Sequence, residues 1–180
     1  MTQSNAPVDV LGELGTMRRY ARVLVRDKED AEDLVHDALV RAYQRRATFR
    51  RSGSLSPWLL SILHNAFIDR IRSEGAAQRR VRAANLTAAR SSEPEQEAAV
   101  RLAQLRAAFY SLPDEQRAAL HLVAVEDLTY QEAAVALSVP VGTVMSRVSR
   151  ARCALREIED GALARGQRLK VVGGRDDAPA

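Results

Sequence analysis

From Asp127 to Arg156 the chain reads DLTYQEAAVALSVPVGTVMSRVSRARCALR, and Arg147, Arg150, Arg152 and Arg156 occur there with no acidic side chain among them. Guanidinium groups grip phosphate oxygens or the paired acceptors of a guanine edge, and hydroxyls such as those of Ser146 and Ser149 bond either, so these residue types suit duplex DNA. They can act together only on one exposed face. Thr129, with Glu132 three residues later, forms a capping box that starts a helix ending near Leu137. The segment from Ser138 to Gly142 then makes a short turn containing Pro140. A second helix is predicted from about Thr143, with Val144, Val148, Ala151 and Leu155 inward and Met145, Ser146, Arg147, Ser149, Arg150 and Arg152 largely outward. A short helix, a turn and a basic second helix make a helix-turn-helix over Leu128 to Leu155, the arrangement that lays its second helix in a major groove. A plain helical hairpin with solvated arginines would share the spacing. The cap, the turn and the acid-free run of Arg favour DNA.

Other chemistries find little support. His36, His64 and His121 have no metal-ligand spacing, the carboxylates form no repeated catalytic pattern, and no glycine-rich phosphate loop is present. The expectation is therefore no enzyme, no cofactor and no metal. The one cysteine, Cys153, cannot form an internal disulfide and is expected to be a buried small hydrophobe. All but two of the 27 basic residues are Arg, and the formal net charge is +4 with a pI near 9.7. That balance suits an anionic partner, although a GC-rich genome would produce the same bias. No basic stretch followed by an apolar run opens the chain and no segment resembles a membrane span, so a cytoplasmic protein is expected.

The elements that must carry these residues are helical. Hydrophobic residues make up 46% of 180, with one Trp, four Tyr and three Phe, a mix that favours helix over sheet. Leu11, Leu14, Met17, Ala21, Leu24 and Val25 have the three-and-four spacing of a first amphipathic helix. Asp27 offers a cap to a second helix, whose apolar set is Ala31, Leu34, Val35, Ala38, Leu39, Ala42 and Tyr43 and whose acidic first turns complement the helix dipole. An exposed basic loop, Thr48 to Pro57, follows. A third helix is predicted with Ser56 as cap and Pro57 in its first turn, its apolar face being Trp58, Leu59, Ile62, Leu63, Ala66, Phe67 and Ile71. Residues 9–74 thus form one small domain. Residues 75–98 have few large apolar groups and read as a flexible linker. Residues 99–158 form a second domain. Its first helix carries Val100, Leu102, Leu105, Ala108, Phe109 and Leu112 on one face and stops before Pro113, and another helix follows to about Val125. Residues 159–180 read as a mobile tail. The fold class is all-α, two small helical domains joined by a flexible linker.

Taken together, these segments resemble the bacterial RNA polymerase sigma factors of the extracytoplasmic-function group. Leu112-Pro113 and Val141 to Arg152 look like the second domain of that family. Asp30 to Tyr43, DAEDLVHDALVRAY, is similar to the helix that grips the clamp helices of the polymerase largest subunit. Pro57 to Asn65 and Asp69 to Arg72 look like its promoter-melting helix. The two domain signatures stand in the family's order across roughly residues 9–157.

The resemblance implies a protein that joins core RNA polymerase, reads two promoter elements and opens the DNA, usually under an anti-sigma protein that can hold it at the membrane. Polymerase contact falls to Asp33, His36, Asp37, Val40 and Arg41, with His36 standing where family members often have Gln. Minus-ten recognition and melting fall to Phe49, Arg50, Arg51, Ser52 and Ser54, beside a flipped-out base, and to Asn65, Asp69, Arg70 and Arg72. Phe49 and Trp58 equally suit the core, Asp69 suits orienting an Arg, and His64 suits either role. Minus-thirty-five contact falls to Thr143, Met145, Ser146, Arg147, Ser149, Arg150 and Arg152, with Arg147 and Arg152 suited to phosphate or to packing. Met145 departs from the Lys or Arg usual there and suits a thymine methyl. Two rivals remain: a dimeric stand-alone helix-turn-helix regulator, and a sigma mimic that sequesters an anti-sigma protein, which would need a receiver domain for which this length leaves no room.

Overall fold

The computed structural model describes residues 10–49, 54–73 and 97–166. Among them the chain forms α1 (Val10–Val25), α2 (Lys28–Gln44), a 3-10 turn (Arg46–Thr48), α3 (Leu55–Ser73), α4 (Glu97–Ser111), α5 (Asp114–Ala124), α6 (Tyr130–Leu137) and α7 (Val141–Gly166). The described residues are all-α, as expected. Most of the expected 75–98 linker, like Arg50, Arg51 and Ser52, lies outside them.

Helices α1 to α3 form the first unit. Asp27 caps α2, accepting from the Glu29 and Asp30 amides at 2.9 and 3.0 Å, and these bonds to its charged form hold its carboxyl below the usual range. Helix α3 starts at Leu55, one residue before the expected cap, so Pro57 sits inside the first turn, where its missing N–H has no intrahelical partner to lose. Its Leu59, Leu60, Ile62, Leu63, Ala66 and Phe67 are all buried, a band wider than one amphipathic stripe. The reason is that α3 is covered on more than one side, by α1, by α2 and by α6 of the second unit.

In the second unit the capping box at Thr129 and Glu132 is present in both directions. Helix α6 ends at Ser138, which takes the left-handed conformation (φ 54°) while the Val139 N–H returns to the Ala134 carbonyl at 3.1 Å. The left-handed residue of the turn is therefore Ser138 and not Gly142, which lies in the first turn of α7 with open space beside it. Val144, Val148 and Ala151 anchor α7, and the helix continues to Gly166, past the expected boundary at 158. Residues 167–180 lie outside the described part.

Several apolar positions in phase with the core are in fact exposed. Leu11, Tyr43, Leu102 and Leu105 are at least half exposed, and Arg46 covers the Tyr43 ring at 4.4 Å. Cys153 is exposed, contrary to expectation, with its thiol 3.5 Å from Glu157 Oε1. Position 153 follows Arg152 on the outer side of α7, away from the Val144–Val148–Ala151 line.

Spacing gave no sign that the two units pack on each other, yet their buried residues form one continuous core. Helix α6 lies along α3, and α1 lies against α5. Tyr20 of α1, fully buried, stacks between His64 of α3 and His121 of α5 with ring centroids 6.2 and 5.8 Å away. Polar bonds cross the same junction. Arg19 forks onto Glu126 at 2.9 and 2.6 Å, and Glu126 also accepts from His121 at 3.0 Å. Arg117 of α5, 2% exposed, donates through Nε to the Val23 carbonyl and through Nη1 to the Leu112 carbonyl, both at 2.9 Å. Arg26 donates to the Tyr110 carbonyl.

Candidate DNA and polymerase interfaces

Helix α7 places the sequence-derived DNA contacts unequally. Met145, Ser149, Arg150 and Arg152 are exposed, whereas Thr143, Ser146 and Arg147 are half-buried. The Ser146 hydroxyl bonds back to the Thr143 carbonyl at 2.9 Å, the back-bond a helical Ser makes when its rotamer folds onto its own helix. Arg147 is paired with Glu115 of α5 at 2.6 Å and its side chain is only 17% exposed. Of the two roles open to it, packing is the one the structure displays. The free cationic face of α7 is thus Arg150 and Arg152, with Met145 and Ser149 between them and the helix start.

On α2, Asp33, His36, Asp37, Val40 and Arg41 lie along one side of the helix, opposite the buried Ala31, Leu34, Val35, Ala38 and Ala42. Asp33, His36 and Val40 are exposed. Arg41 is held between Asp37 at 3.0 Å and Asp69 of α3 at 2.6 Å, and these bonds, Asp69 first, raise its pKa. Asp69 therefore orients an Arg, one of the readings open to it in the sequence. Arg70 is likewise paired, with Asp30 of α2, which leaves Arg72 and the half-buried Asn65 as the remaining sequence-derived candidates on α3.

Before α3, Phe49 and Trp58 stack on each other with ring centroids 5.1 Å apart, and both are half-buried. Neither ring is sealed in the core. With Thr48, exposed Ser54 and Pro57 they form one wall of a cleft of about 380 Å³, and Gln131, Glu132 and Val135 of α6 form the other. His64 is structural: its Nδ1 is 2.9 Å from the buried Tyr20 hydroxyl, and burial, aided by the nearby Arg147 cation, pushes its pKa down to about 4. The same burial shifts the Tyr20 phenol upward and His121 downward.

The sequence reading missed Tyr20, Arg26, Arg117 and the Arg19–Glu126 pair. Arg117 had one available signal, since it falls three and four residues before Leu120 and His121, on the buried side of α5. Among the described residues no group of three or more His, Cys, Asp or Glu gathers to hold a metal, and no helix is long and apolar enough to cross a membrane.

Comparison with known proteins matches residues 12–77 to Sigma-70 region 2 and residues 102–155 to Sigma-70 region 4. The chain is 36% identical over 159 residues to the ECF RNA polymerase sigma factor EcfG of Rhodopseudomonas palustris, covering 86% of each. It is 35% identical over 143 residues to the ECF sigma factor SigM of Mycobacterium tuberculosis, covering 79% of this chain and 70% of that one. Among solved structures it resembles the sigma factor RpoE of Bartonella quintana, seen in complex with the anti-sigma factor NepR, with a TM-score of 0.67, 32% identity and coverage of 84% and 94%. Two family segments, in order and on the two helical units just described, establish that the chain belongs to the ECF family of RNA polymerase sigma factors, the subunits that direct core polymerase to promoters and start transcription.

Proposed function

We propose that this sigma factor meets polymerase through the outer face of α2, reads and melts the minus-ten element with the Phe49–Trp58 corner and α3, and reads the minus-thirty-five element with α7. The observation that carries the assignment is the split of α7. Val144, Val148 and Ala151 lock one side while Met145, Ser149, Arg150 and Arg152 stand free on the other. Arg150 and Ser149 supply base-edge contacts, Arg152 phosphate contact, and Met145 an apolar surface for a thymine methyl. Gly142, with nothing within 4 Å of where a Cβ would stand, lets the start of α7 approach the DNA backbone closely. The protein acts in the cytoplasm by positioning and not by catalysis of its own.

The test is transcription in vitro with core polymerase and genomic DNA. Specific start sites that depend on the chain are expected. Absence of such starts, with the free chain footprinting duplex DNA, would point to the stand-alone regulator instead.

A second partner is supported by one likeness. The Bartonella relative, 94% of which this chain spans, is held by an anti-sigma protein. This chain is accordingly inhibited by a protein of that kind, and addition of such a protein to the transcription reaction should silence the start sites.

A further inference from the structure

The two units are joined by an exchange of arginines between helix ends. Helix α1 finishes at Val25, and the Asp27 N–H turns to the Val25 carbonyl. The Val23 carbonyl, in that last turn, accepts instead from Arg117 Nε of the second unit at 2.9 Å. In return Arg26, the residue after α1, donates to the Tyr110 carbonyl in the last turn of α4. Each unit thus supplies a cation to a C-terminal carbonyl of the other, where the helix dipole is negative. Arg26 takes a left-handed backbone (φ 62°), which costs a non-glycine residue about 1 kcal/mol or more.

We propose that the free sigma factor is a closed form held by this reciprocal arginine clasp, and that the clasp must open before the two domains reach their promoter elements together. The second half rests on the two-point promoter reading above. Distance requires the opening. Elements some 25 base pairs apart are separated by roughly 85 Å of duplex at about 3.4 Å per pair. A compact body of roughly 130 residues has a radius of gyration near 14 Å and so spans only about 35 to 40 Å. Position requires it too. In the closed form the Phe49–Trp58 corner faces Glu132 of α6 across the cleft, and a carboxylate there opposes an incoming phosphate.

The clasp is also built to let go. Arg26 and Arg117 both lie over the Tyr110 ring, at 4.9 and 5.8 Å, and the Arg117 charge, after burial, lowers the Arg26 pKa. Two cations this close repel each other. Asp114, which holds Arg117 at 2.6 Å and is itself 59% exposed, belongs to the same unit as Arg117 and stays with it on opening. Separation therefore exchanges one carbonyl for water without orphaning a buried charge, unlike the breaking of a buried ion pair.

The test is a distance measurement between spin labels on Cys153 of α7 and on a Gln44→Cys variant at the end of α2, using the full chain without partners. One narrow, short distance band is expected. Arg26→Gly should raise the open-to-closed ratio about tenfold or more, the scale of one lost hydrogen bond to a charged group, while glycine relieves the left-handed strain and keeps α1 folded. Arg19→Ala should add to it. Addition of core polymerase and a promoter fragment that yields transcripts should move the band to long distances. A broad band in the parent chain, an unchanged band in Arg26→Gly with Arg19→Ala, or a short band while transcripts are made would each overturn the proposal. Transcripts score the promoter reading separately from the clasp.

Discussion

Arg41 Nη1 lies 2.6 Å from the Asp69 carboxylate, so one ion pair ties the proposed polymerase face of α2 to the proposed melting helix α3. Asp37 holds the same guanidinium from the other side. Because the Arg41 and Asp69 side chains are 28% and 54% exposed, the pair adds no more than about 1 kcal/mol to stability. Arg41→Ala should weaken core-polymerase binding about tenfold, as loss of a central charged contact does. Asp69→Ala should shift it less than half as far in free energy, since Asp37 remains. Calorimetry with core polymerase measures both, and equal losses would mean that Asp69 itself touches the partner.

On α7 two arginines three residues apart should behave differently. Arg150→Ala is expected to weaken minus-thirty-five-dependent initiation by about 1 to 3 kcal/mol and leave polymerase binding intact. Arg147→Ala, which frees Glu115 and removes the cation beside His64, should act on unfolding and leave promoter preference unchanged. Competition between promoter variants separates the two effects. A change of base preference in Arg147→Ala would show that this side chain leaves Glu115 to meet DNA.

Gly142→Ala should stabilise the free protein by up to about 1 kcal/mol, because alanine is the better helix former and its methyl meets open space. The same methyl stands where the DNA backbone is proposed to approach. Duplex affinity should therefore fall while the thermal midpoint rises. Both moving upward would place the DNA farther from the start of α7.

Acid should loosen the junction around Tyr20. His64 titrates near pH 4 in the folded chain against an ordinary 6.5, and His121 is shifted the same way by burial, with Glu126 opposing and Arg19 assisting. The unfolded chain binds protons that the folded chain refuses between those values, so stability is full above about pH 6.5 and falls as pH drops toward 4. The charged groups facing His64 across the junction, Arg147 and Glu115, act in opposite senses, with Arg147 the stronger. Urea midpoints at pH 8 and pH 5 measure the slope. His64→Phe should lower the midpoint at pH 8, by leaving the buried Tyr20 hydroxyl without its partner, and flatten the slope below pH 6.5. An unchanged slope would assign the acid loss elsewhere.

Local signals were the legible ones. The capping box at Thr129, the stop before Pro113 and the acidic start of α2 each depend on residues a few positions apart, and each stands where its spacing places it. Periodicity also gave the right face of each helix, but not how far the core extends along it, so Leu11 and Tyr43 lie in phase and yet exposed. Arg117 was illegible for a different reason. Its acceptor is Val23, 94 residues away, and only the packing of two units decides that an arginine is buried there. The same packing divided the DNA candidates, pairing Arg147 and Asp69 inside the protein while leaving Arg150 and Arg152 free.

The left-handed turn after α1 bears on kinship. A chain that needed only to stop a helix would place glycine at position 26, so an arginine retained against its backbone preference marks a lineage in which the junction is under selection. Across related sequences, residues 26 and 117 should then change together: where the first reverts to glycine, the second is released from burial and free to become any solvated side chain.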